Sequence, residues 1–212
     1  MLCRNIETGT NAGGADGRHA MKVLSLCGSR NRSGRTARAG AALASGAASA
    51  GALCDVEFLP ELDIRRCRQC DEDGWGLCRR EGRCCIEDDF ERLAEAVRAA
   101  DALVVATPVY FGEISESIRA LLDRLRRICM HEQGKAGIAG KPALGICVAG
   151  GGGGGAPACS AELVRILQIC GFDVLDMVAV RRQNLDLKTQ VLELTGRWLV
   201  GAIQPHEPPQ PA

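Results

Sequence analysis

The chain has 212 residues, and its 26 lysine and arginine residues equal its 26 aspartate and glutamate residues, so the net charge is zero. This balance gives no electrostatic reason to expect a nucleic acid or a membrane surface as partner, and aromatic residues, at 3% of the chain, are too few for extensive base stacking. No apolar run approaches the ~20 residues that span a bilayer, and residues 1–20 lack the apolar stretch of a secretory signal. We therefore expect a cytoplasmic protein.

The two ends of the chain differ in composition from the rest. Residues 1–20 are polar and glycine-rich, which predicts a disordered leader. Met21 stands directly before the first apolar run, so translation from Met21 is an alternative to translation from Met1. Residues 204–212 contain four prolines, which predicts an exposed, disordered tail. We expect one folded domain over residues 21–203, with a cysteine-rich insertion at residues 67–85.

Short apolar runs and helical patterns alternate along this domain. The predicted strands are Lys22–Leu26, Cys54–Leu59, Ala102–Ala106, Pro142–Val148 and Phe172–Val180. The predicted helices cover residues 36–50, 88–100, 115–127, 158–170 and 187–203. Ser115 is the predicted cap of the third helix, and Gly171 is the predicted stop of the fourth. The second strand alternates charged and apolar residues, which places it nearer an edge. The pattern predicts an α/β, doubly wound, five-stranded parallel sheet with helices on both faces.

Three loops leave the predicted strand ends with unusual composition: Gly28–Thr36, Thr107–Gly112 and Gly150–Gly155. In such sheets ligands bind outside the carboxyl ends of the strands, near the point where strand order reverses. The first loop, GSRNRSGRT, offers hydroxyls, arginines and glycines and runs straight into a helix, whose free N–H groups favour a phosphate. It has neither the Gly-Lys-Ser/Thr ending nor the spaced glycines of the common nucleotide motifs. The alternative is a polar loop that merely turns the chain.

The other two loops suit a planar ligand. Tyr110 and Phe111 follow a buried strand, and exposed aromatic residues there can lie against a planar ring; the alternative is a packing cluster under the next helix. The glycine run leaves backbone N–H groups unshielded and lets a ligand approach closely; the alternative is a flexible turn without function.

The first two loops resemble motifs of the NAD(P)H-dependent FMN reductases, which have a flavodoxin-like fold. GSRNRSGRTA is similar to their GSxRxxGNTA phosphate loop, although Arg35 stands where asparagine is usual, and TPVYFGEISESIRALLDR is similar to their SPVYFGxxSxxLKxFxDR segment. The resemblance implies that the first loop binds the FMN phosphate through Ser29, Arg32, Ser33, Gly34 and Thr36. It implies that the isoalloxazine is bordered by Pro108, Val109, Tyr110, Phe111 and Gly112, and on its pyrimidine side by Gly151, Gly152 and Gly153.

Five of the twelve cysteines crowd into residues 67–85. Four of them, Cys67, Cys70, Cys78 and Cys84, could hold a tetrahedral zinc ion or a cubane iron–sulfur cluster, and Cys85 is adjacent. Zinc sites usually show two Cys-x2-Cys pairs, and only one is present here. The segment resembles the iron–sulfur flavoproteins, a branch of the same family with C-x2-C-x2-C-x4–7-C followed by two acids, and GRCCIEDD aligns Cys84 as the fourth ligand.

This branch would imply a [4Fe–4S] cluster on Cys67, Cys70, Cys78 and Cys84. The gap between Cys70 and Cys78 is five residues longer than the branch's usual pattern, so zinc and a metal-free thiol patch remain alternatives. By contrast, cysteines inside apolar runs, such as Cys147 and Cys170, are predicted to be small core residues.

The resemblance implies an oxidoreductase that takes electrons from NAD(P)H into FMN and passes them to an acceptor, with the cluster as a further electron centre. Since the cofactor performs the redox chemistry, we expect no catalytic acid or base, and the three histidines fall outside the loops. A non-catalytic electron carrier or redox sensor and a zinc-stabilised interaction module are the alternatives. Family members commonly form homodimers or homotetramers, for which helix 115–127 could supply the interface. The sequence does not distinguish NADH from NADPH.

Overall fold

The computed structural model of the protein describes residues 20–203. The predicted tail and the predicted leader, apart from Ala20, lie outside this range, so the boundaries at residues 20 and 204 stay predictions. The strands are β1 Lys22–Cys27, β2 Leu53–Phe58, β3 Ala102–Pro108, β4 Pro142–Ala149 and β5 Asp173–Arg181. The α-helices are α1 Arg35–Ser49, α2 Leu77–Arg80, α3 Phe90–Ala99, α4 Glu116–Ile128, α5 Glu132–Lys135, α6 Ala156–Cys170 and α7 Leu185–Ile203.

The five strands form one parallel sheet in the order β2-β1-β3-β4-β5. The chain moves outward from β1 to β2 and then crosses to the other side of β1, so strand order reverses between β1 and β3. The loops that follow these two strands therefore diverge and leave a crevice at the carboxyl edge of the sheet. The predicted flavodoxin-like architecture and the edge position of β2 are confirmed.

Alternation along the strands sends side chains into two hydrophobic layers. In β1, Leu24 and Leu26 face the layer that contains α3, α4 and α6, whereas Val23 faces the layer that contains α1 and α7. Cys147 and Cys170 are buried in the first layer, as predicted. Because helices cover both faces of the sheet, the central strands are continuous apolar runs. This composition is why the strands could be predicted from the sequence.

Each predicted strand and helix lies within two residues of an observed one. The sequence missed α2 and α5, which have four residues each and are too short for a periodic pattern. Gly171 ends α6 in the left-handed conformation, with φ of 100°. Ser115 is the N-cap of α4, but its hydroxyl caps no backbone N–H; instead its own N–H donates to Thr107 Oγ1 at 2.9 Å, which ties α4 to the end of β3. None of the described helices is long and apolar enough to cross a membrane.

Candidate functional site

The first loop leads into a helix whose N-terminus has free donors. Gly34 is the N-cap of α1, and among the described residues no side chain caps this end and no acidic residue lies in the first turn. The first backbone N–H groups of a helix have no intrahelical partner and, together with the helix dipole, favour an anion. The end of the loop is therefore suited to a phosphate.

Asn31, which the sequence interpretation did not single out, holds the shape of this loop. Its side-chain oxygen accepts hydrogen bonds from the N–H of Ser33 at 3.0 Å and from the hydroxyl of Ser33 at 2.9 Å. Its backbone carbonyl accepts from the N–H of Gly34 at 3.0 Å, and its N–H donates to Ser29 Oγ at 3.3 Å. Asn and Asp side chains commonly fix turns in this way, which is the signal that could have found it.

The three loops meet around one open cleft of about 590 Å³, a volume typical of small-molecule sites. Eight residues predicted for cofactor binding line it: Ser29, Ser33, Gly34, Thr36, Pro108, Val109, Tyr110 and Gly151. Asn31, Arg35, Arg38, Val148 and Gly150 complete the lining. The cleft thus has hydroxyls, arginines and a helix N-terminus at one part and apolar or aromatic side chains at another.

Arg32, predicted as a phosphate ligand, is not among the residues that line the cleft. Its guanidinium donates to Glu61 from Nε at 2.8 Å and lies 4.4 Å from the centre of the Phe58 ring. Arg35 and Arg38 are the arginines that line the cleft instead, and Arg38 also pairs with Asp186 at 3.0 Å. The positive charge of the cleft thus comes from the start of α1.

The second loop ends in a tight turn. Tyr110 and Glu113 exchange backbone hydrogen bonds of 3.1 and 2.9 Å, and Phe111 and Gly112 between them have φ of 53° and 88°. Two central residues with positive φ are typical of a type I′ turn. The Phe111 ring is fully exposed and Tyr110 is half exposed. Phe111 and Gly112 do not line the cleft, while the N–H of Val109 donates to Val148 at 3.0 Å and holds the start of this loop against β4.

In the third loop only Gly150 and Gly151 line the cleft. A side chain at Gly151 would meet nothing within 4 Å, and one at Gly150 would lie near the Arg35 guanidinium. Gly152 also borders open space, whereas Gly153 has φ of 83° and packs against the Arg181 side chain. Of the three glycines predicted to border the isoalloxazine, Gly151 therefore lines the cleft, whereas Gly152 and Gly153 lie in the turn that leads to α6.

The five clustered cysteines line a second pocket, which shares no lining residue with the cleft. Cys67, Cys70, Cys78, Cys84 and Cys85 surround it, together with Arg68, Arg124 and Arg127. We call it the thiol pocket. Three guanidinium groups and five thiols thus line the same small pocket.

Within the thiol pocket, the sulfurs of Cys70 and Cys85 are 3.4 Å apart, and Arg68 lies 3.7 Å from the Cys85 sulfur. Hydrogen bonds from Cys70 and then from Arg68 lower the pKa of the Cys85 thiol. The pocket encloses only about 20 Å³, room for about one water molecule. Over residues 20–203, no three His, Cys, Asp or Glu side chains are arranged around a single metal ion. Cysteine thiols are suitable ligands for a thiolate-bound metal centre, but the space between these five thiols is too small for an iron–sulfur cluster unless residues of this segment move apart.

Comparison with known proteins places this geometry in a family. The family model for NADPH-dependent FMN reductase matches residues 21–186. An iron–sulfur flavoprotein of Methanosarcina thermophila is 32% identical over 122 residues, which are 56% of this chain and 61% of that protein. A second, from Methanocaldococcus jannaschii, is 28% identical over 131 residues, 62% of this chain and 65% of that protein. The matches thus span less than two thirds of the length of these two relatives.

Solved structures share the fold at low sequence identity. An NAD(P)H:quinone oxidoreductase from Methanothermobacter marburgensis superposes with a TM-score of 0.65 at 21% identity, over 85% of this chain and 96% of that one. An archaeal flavodoxin superposes with a TM-score of 0.58 at 13% identity, over 87% and 99% of the two chains. The family match covers most of the chain and agrees with the motifs of the first two loops, so the chain belongs to the NADPH-dependent FMN reductase family.

Proposed function

We propose that the protein is an FMN-dependent oxidoreductase that uses NAD(P)H to reduce its flavin and passes the electrons to an acceptor. The main support is the cleft of about 590 Å³ in which the loops after β1, β3 and β4 meet. FMN needs a site for a phosphate dianion beside a site for a planar ring, and this cleft offers both. Family membership agrees with the proposal.

At the phosphate end, the free N–H groups of the first turn of α1 would bind the phosphate together with the hydroxyls of Ser29, Ser33 and Thr36. Arg35 takes the role that the motif gives to Arg32, because Arg35 lines the cleft and Arg32 is held by Glu61. An arginine beside a phosphate adds charge-assisted hydrogen bonds, which are stronger than neutral ones.

At the ring end, Pro108, Val109 and Tyr110 offer one wall, and the open backbone of Gly150 and Gly151 lets a ring approach closely. When bound, FMN supplies the redox chemistry, and the protein binds, orients and tunes it. Tyr110 is half exposed, so its ring is accessible to a second planar group such as a nicotinamide.

For the thiol pocket we propose a [4Fe–4S] cluster on Cys67, Cys70, Cys78 and Cys84 as a further electron centre. Two findings support it: the two relatives from Methanosarcina thermophila and Methanocaldococcus jannaschii are iron–sulfur flavoproteins, and three guanidinium groups line the pocket and would offset the charge of four thiolates. The middle of the segment between Cys67 and Cys84 would have to move outward to make room, because the pocket encloses about 20 Å³. The two ends of the segment are held by Arg124 through the carbonyls of Arg65 and Ile86.

A second candidate function is a flavoprotein electron carrier or redox sensor with metal-free thiols. One observation favours it: Cys70 and Cys85 approach to 3.4 Å between sulfurs, with Arg68 near Cys85. A thiol with a lowered pKa beside a second thiol is typical of redox-sensitive pairs.

Anaerobic purification followed by flavin, iron, zinc and acid-labile sulfide assays separates these proposals. We expect one FMN and about four irons and four sulfides per chain, and steady-state oxidation of NADPH or NADH with a quinone or free FMN as acceptor. Bound FMN that no nicotinamide reduces would favour the carrier or sensor. A yellow protein without iron would contradict the cluster and leave the FMN proposal standing.

We also propose a cytoplasmic homodimer or homotetramer. The apolar side of α4, with Ile118, Leu121 and Leu125, is fully buried in the core. Any interface on this helix must therefore use its exposed side. Light scattering of the holoprotein measures the state directly, and a monomer at micromolar concentration would contradict the proposal.

A further inference from the structure

Arg124 is a fully buried guanidinium in the wall of the thiol pocket. Its side chain is 1% exposed, and it lines the pocket beside Cys84. A buried charge is costly unless it is paired and hydrogen-bonded. Every N–H group of this side chain therefore needs a partner.

Four of its five N–H groups have one. Nη1 donates to Asp88 Oδ2 at 2.6 Å and to the Arg65 carbonyl at 3.0 Å. Nη2 donates to Asp88 Oδ1 at 2.9 Å and to the Ile86 carbonyl at 3.3 Å. The guanidinium also lies 4.1 Å from the centre of the Phe90 ring. These contacts fix its plane, so it cannot turn to seek another acceptor.

The fifth donor, Nε–H, is buried and, like Nε of Arg98, makes no hydrogen bond of ordinary geometry among the described residues. The guanidinium of Arg124 is nevertheless close enough to the Cys84 thiol to interact with it. An unpaired buried donor is rare and costs free energy comparable to a lost hydrogen bond. The thiol pocket is the adjacent space, and a sulfur that carries negative charge is a good acceptor for such a donor. The other two arginines of the pocket are held or exposed differently from Arg124. The Arg127 guanidinium lies 4.2 Å from the centre of the Trp75 ring and donates to the Gly74 carbonyl, and Arg68 is exposed to solvent.

We propose that Arg124 is a positioning residue for the cysteine centre, and that its Nε–H donates to a sulfur of that centre at Cys84. The proposal rests on the cluster proposed above. A hydrogen bond to a cluster sulfur stabilises the more negative, reduced state and raises the reduction potential. Arg124 would thus set how readily the centre accepts an electron, while Asp88 holds the guanidinium in place.

The test compares iron-replete, anaerobic wild-type protein with the Arg124→Gln variant by a spectroelectrochemical titration that follows cluster and flavin separately. We expect the equilibrium between reduced and oxidised cluster to shift at least tenfold toward the oxidised form, which is ~59 mV for a one-electron couple. The flavin potential of the same sample is expected to stay unchanged. A merely structural role of Arg124 would lower iron content without moving the potential of the clusters that remain.

Arg126→Gln is the matched control, because it removes the same charge from α4 at a residue that pairs with Asp123 outside the pocket. We expect it to leave the cluster potential unchanged. If Arg124→Gln does not fold, the paired variant Asp88→Asn/Arg124→Gln leaves no unpaired carboxylate and has to show the same shift. An unchanged potential in an iron-replete Arg124 variant overturns the inference alone, whereas wild-type protein without iron and sulfide overturns the cluster and the inference together.

Discussion

Arg32 and Arg35 are three residues apart in the loop that follows β1 but have different surroundings. The guanidinium of Arg32 is bound by Glu61, three residues beyond β2, and is stacked on Phe58, the last residue of β2. Arg35 is the first residue of α1 and lines the cleft next to Gly150. The motif places both in one loop, but only the fold decides which of them lines the cleft.

The variant Arg35→Gln tests this assignment. We expect the Kd for FMN to rise about 10- to 100-fold, because a hydrogen bond to a charged group contributes about 1.5–3 kcal/mol. Fluorescence titration of the apoprotein with FMN measures the change. The control Arg32→Gln removes an equal charge outside the cleft, and we expect the Kd for FMN to change less than about threefold. The reverse order of the two effects would show that the motif, not the structure, identifies the phosphate ligand.

Phe111 combines full exposure with a left-handed backbone, with φ of 53°. This conformation costs a residue with a side chain about 1–2 kcal/mol, and asparagine tolerates it better than phenylalanine. We expect Phe111→Asn to raise the free energy of unfolding by up to about 1 kcal/mol in urea denaturation. Phe111→Ala keeps the Cβ and is expected to give no such gain. A slower NAD(P)H oxidation in the more stable variant would indicate that the ring takes part in substrate contact.

At the scale of elements, α1 and α7 cross at two glycines. A Cβ at Gly196 would overlap the carbonyl oxygen of Leu43, and one at Gly46 would overlap that of Glu193. The two backbones therefore approach more closely than alanine would permit. This contact holds α7 beside α1 on one face of the sheet.

Two glycines of α7 give opposite predictions for the same change. Gly196→Ala is expected to lower the free energy of unfolding by about 1–3 kcal/mol, because the added methyl has to push the helices apart. Gly201→Ala, where the added methyl meets nothing within 4 Å, is expected to raise it by up to about 1 kcal/mol through helix propensity. Urea denaturation measures the free energy of unfolding of both variants. Equal changes in the two variants would contradict the close approach of the α1 and α7 backbones.

At the scale of the molecule, the Asp88–Arg124 ion pair connects the chain just after Cys85 to α4 and the core. Both side chains are almost fully buried, at 0% and 1% exposure. Burial by itself would raise the pKa of Asp88, but hydrogen bonds from Arg124 and from the backbone of Arg65 and Phe90 outweigh burial and lower it. The pair thus stabilises the folded protein in the charged state of the carboxyl.

The sign of the pH dependence follows from this lowered pKa. The stabilisation by Asp88 is fully present above its unfolded pKa of about 3.9 and is lost as the pH falls through the lower folded value. We expect Asp88→Asn to cost about 3–5 kcal/mol at pH 7, where it leaves Arg124 buried and unpaired. The difference from wild type is expected to shrink at pH 3. Asp71→Asn, which breaks an exposed pair with Arg80, is expected to cost less than about 1 kcal/mol at either pH.

The sequence by itself determined the architecture, because helices on both faces force the strands to be continuous apolar runs and the helices to be periodic. β1, β3 and β4 end at the three loops that the composition had singled out, and parallel strands place such loops at one edge. The four-residue helices α2 and α5 could not be predicted, since a single turn has no period to detect.

Only the tertiary structure decided which side chains of those loops face the cleft. The Arg32 side chain is held outside the cleft by Glu61, which lies 29 positions away in the chain. Asn31 fixes the shape of the first loop through hydrogen bonds with Ser33, which the spacing of residues in the sequence did not indicate. Likewise, Arg124 is the last residue of the segment TPVYFGEISESIRALLDR, which resembles a motif for the flavin ring, but in the fold its side chain lines the thiol pocket. Local patterns follow from covalent neighbours and burial, whereas these contacts depend on how distant segments pack, which is why the sequence alone could not give them.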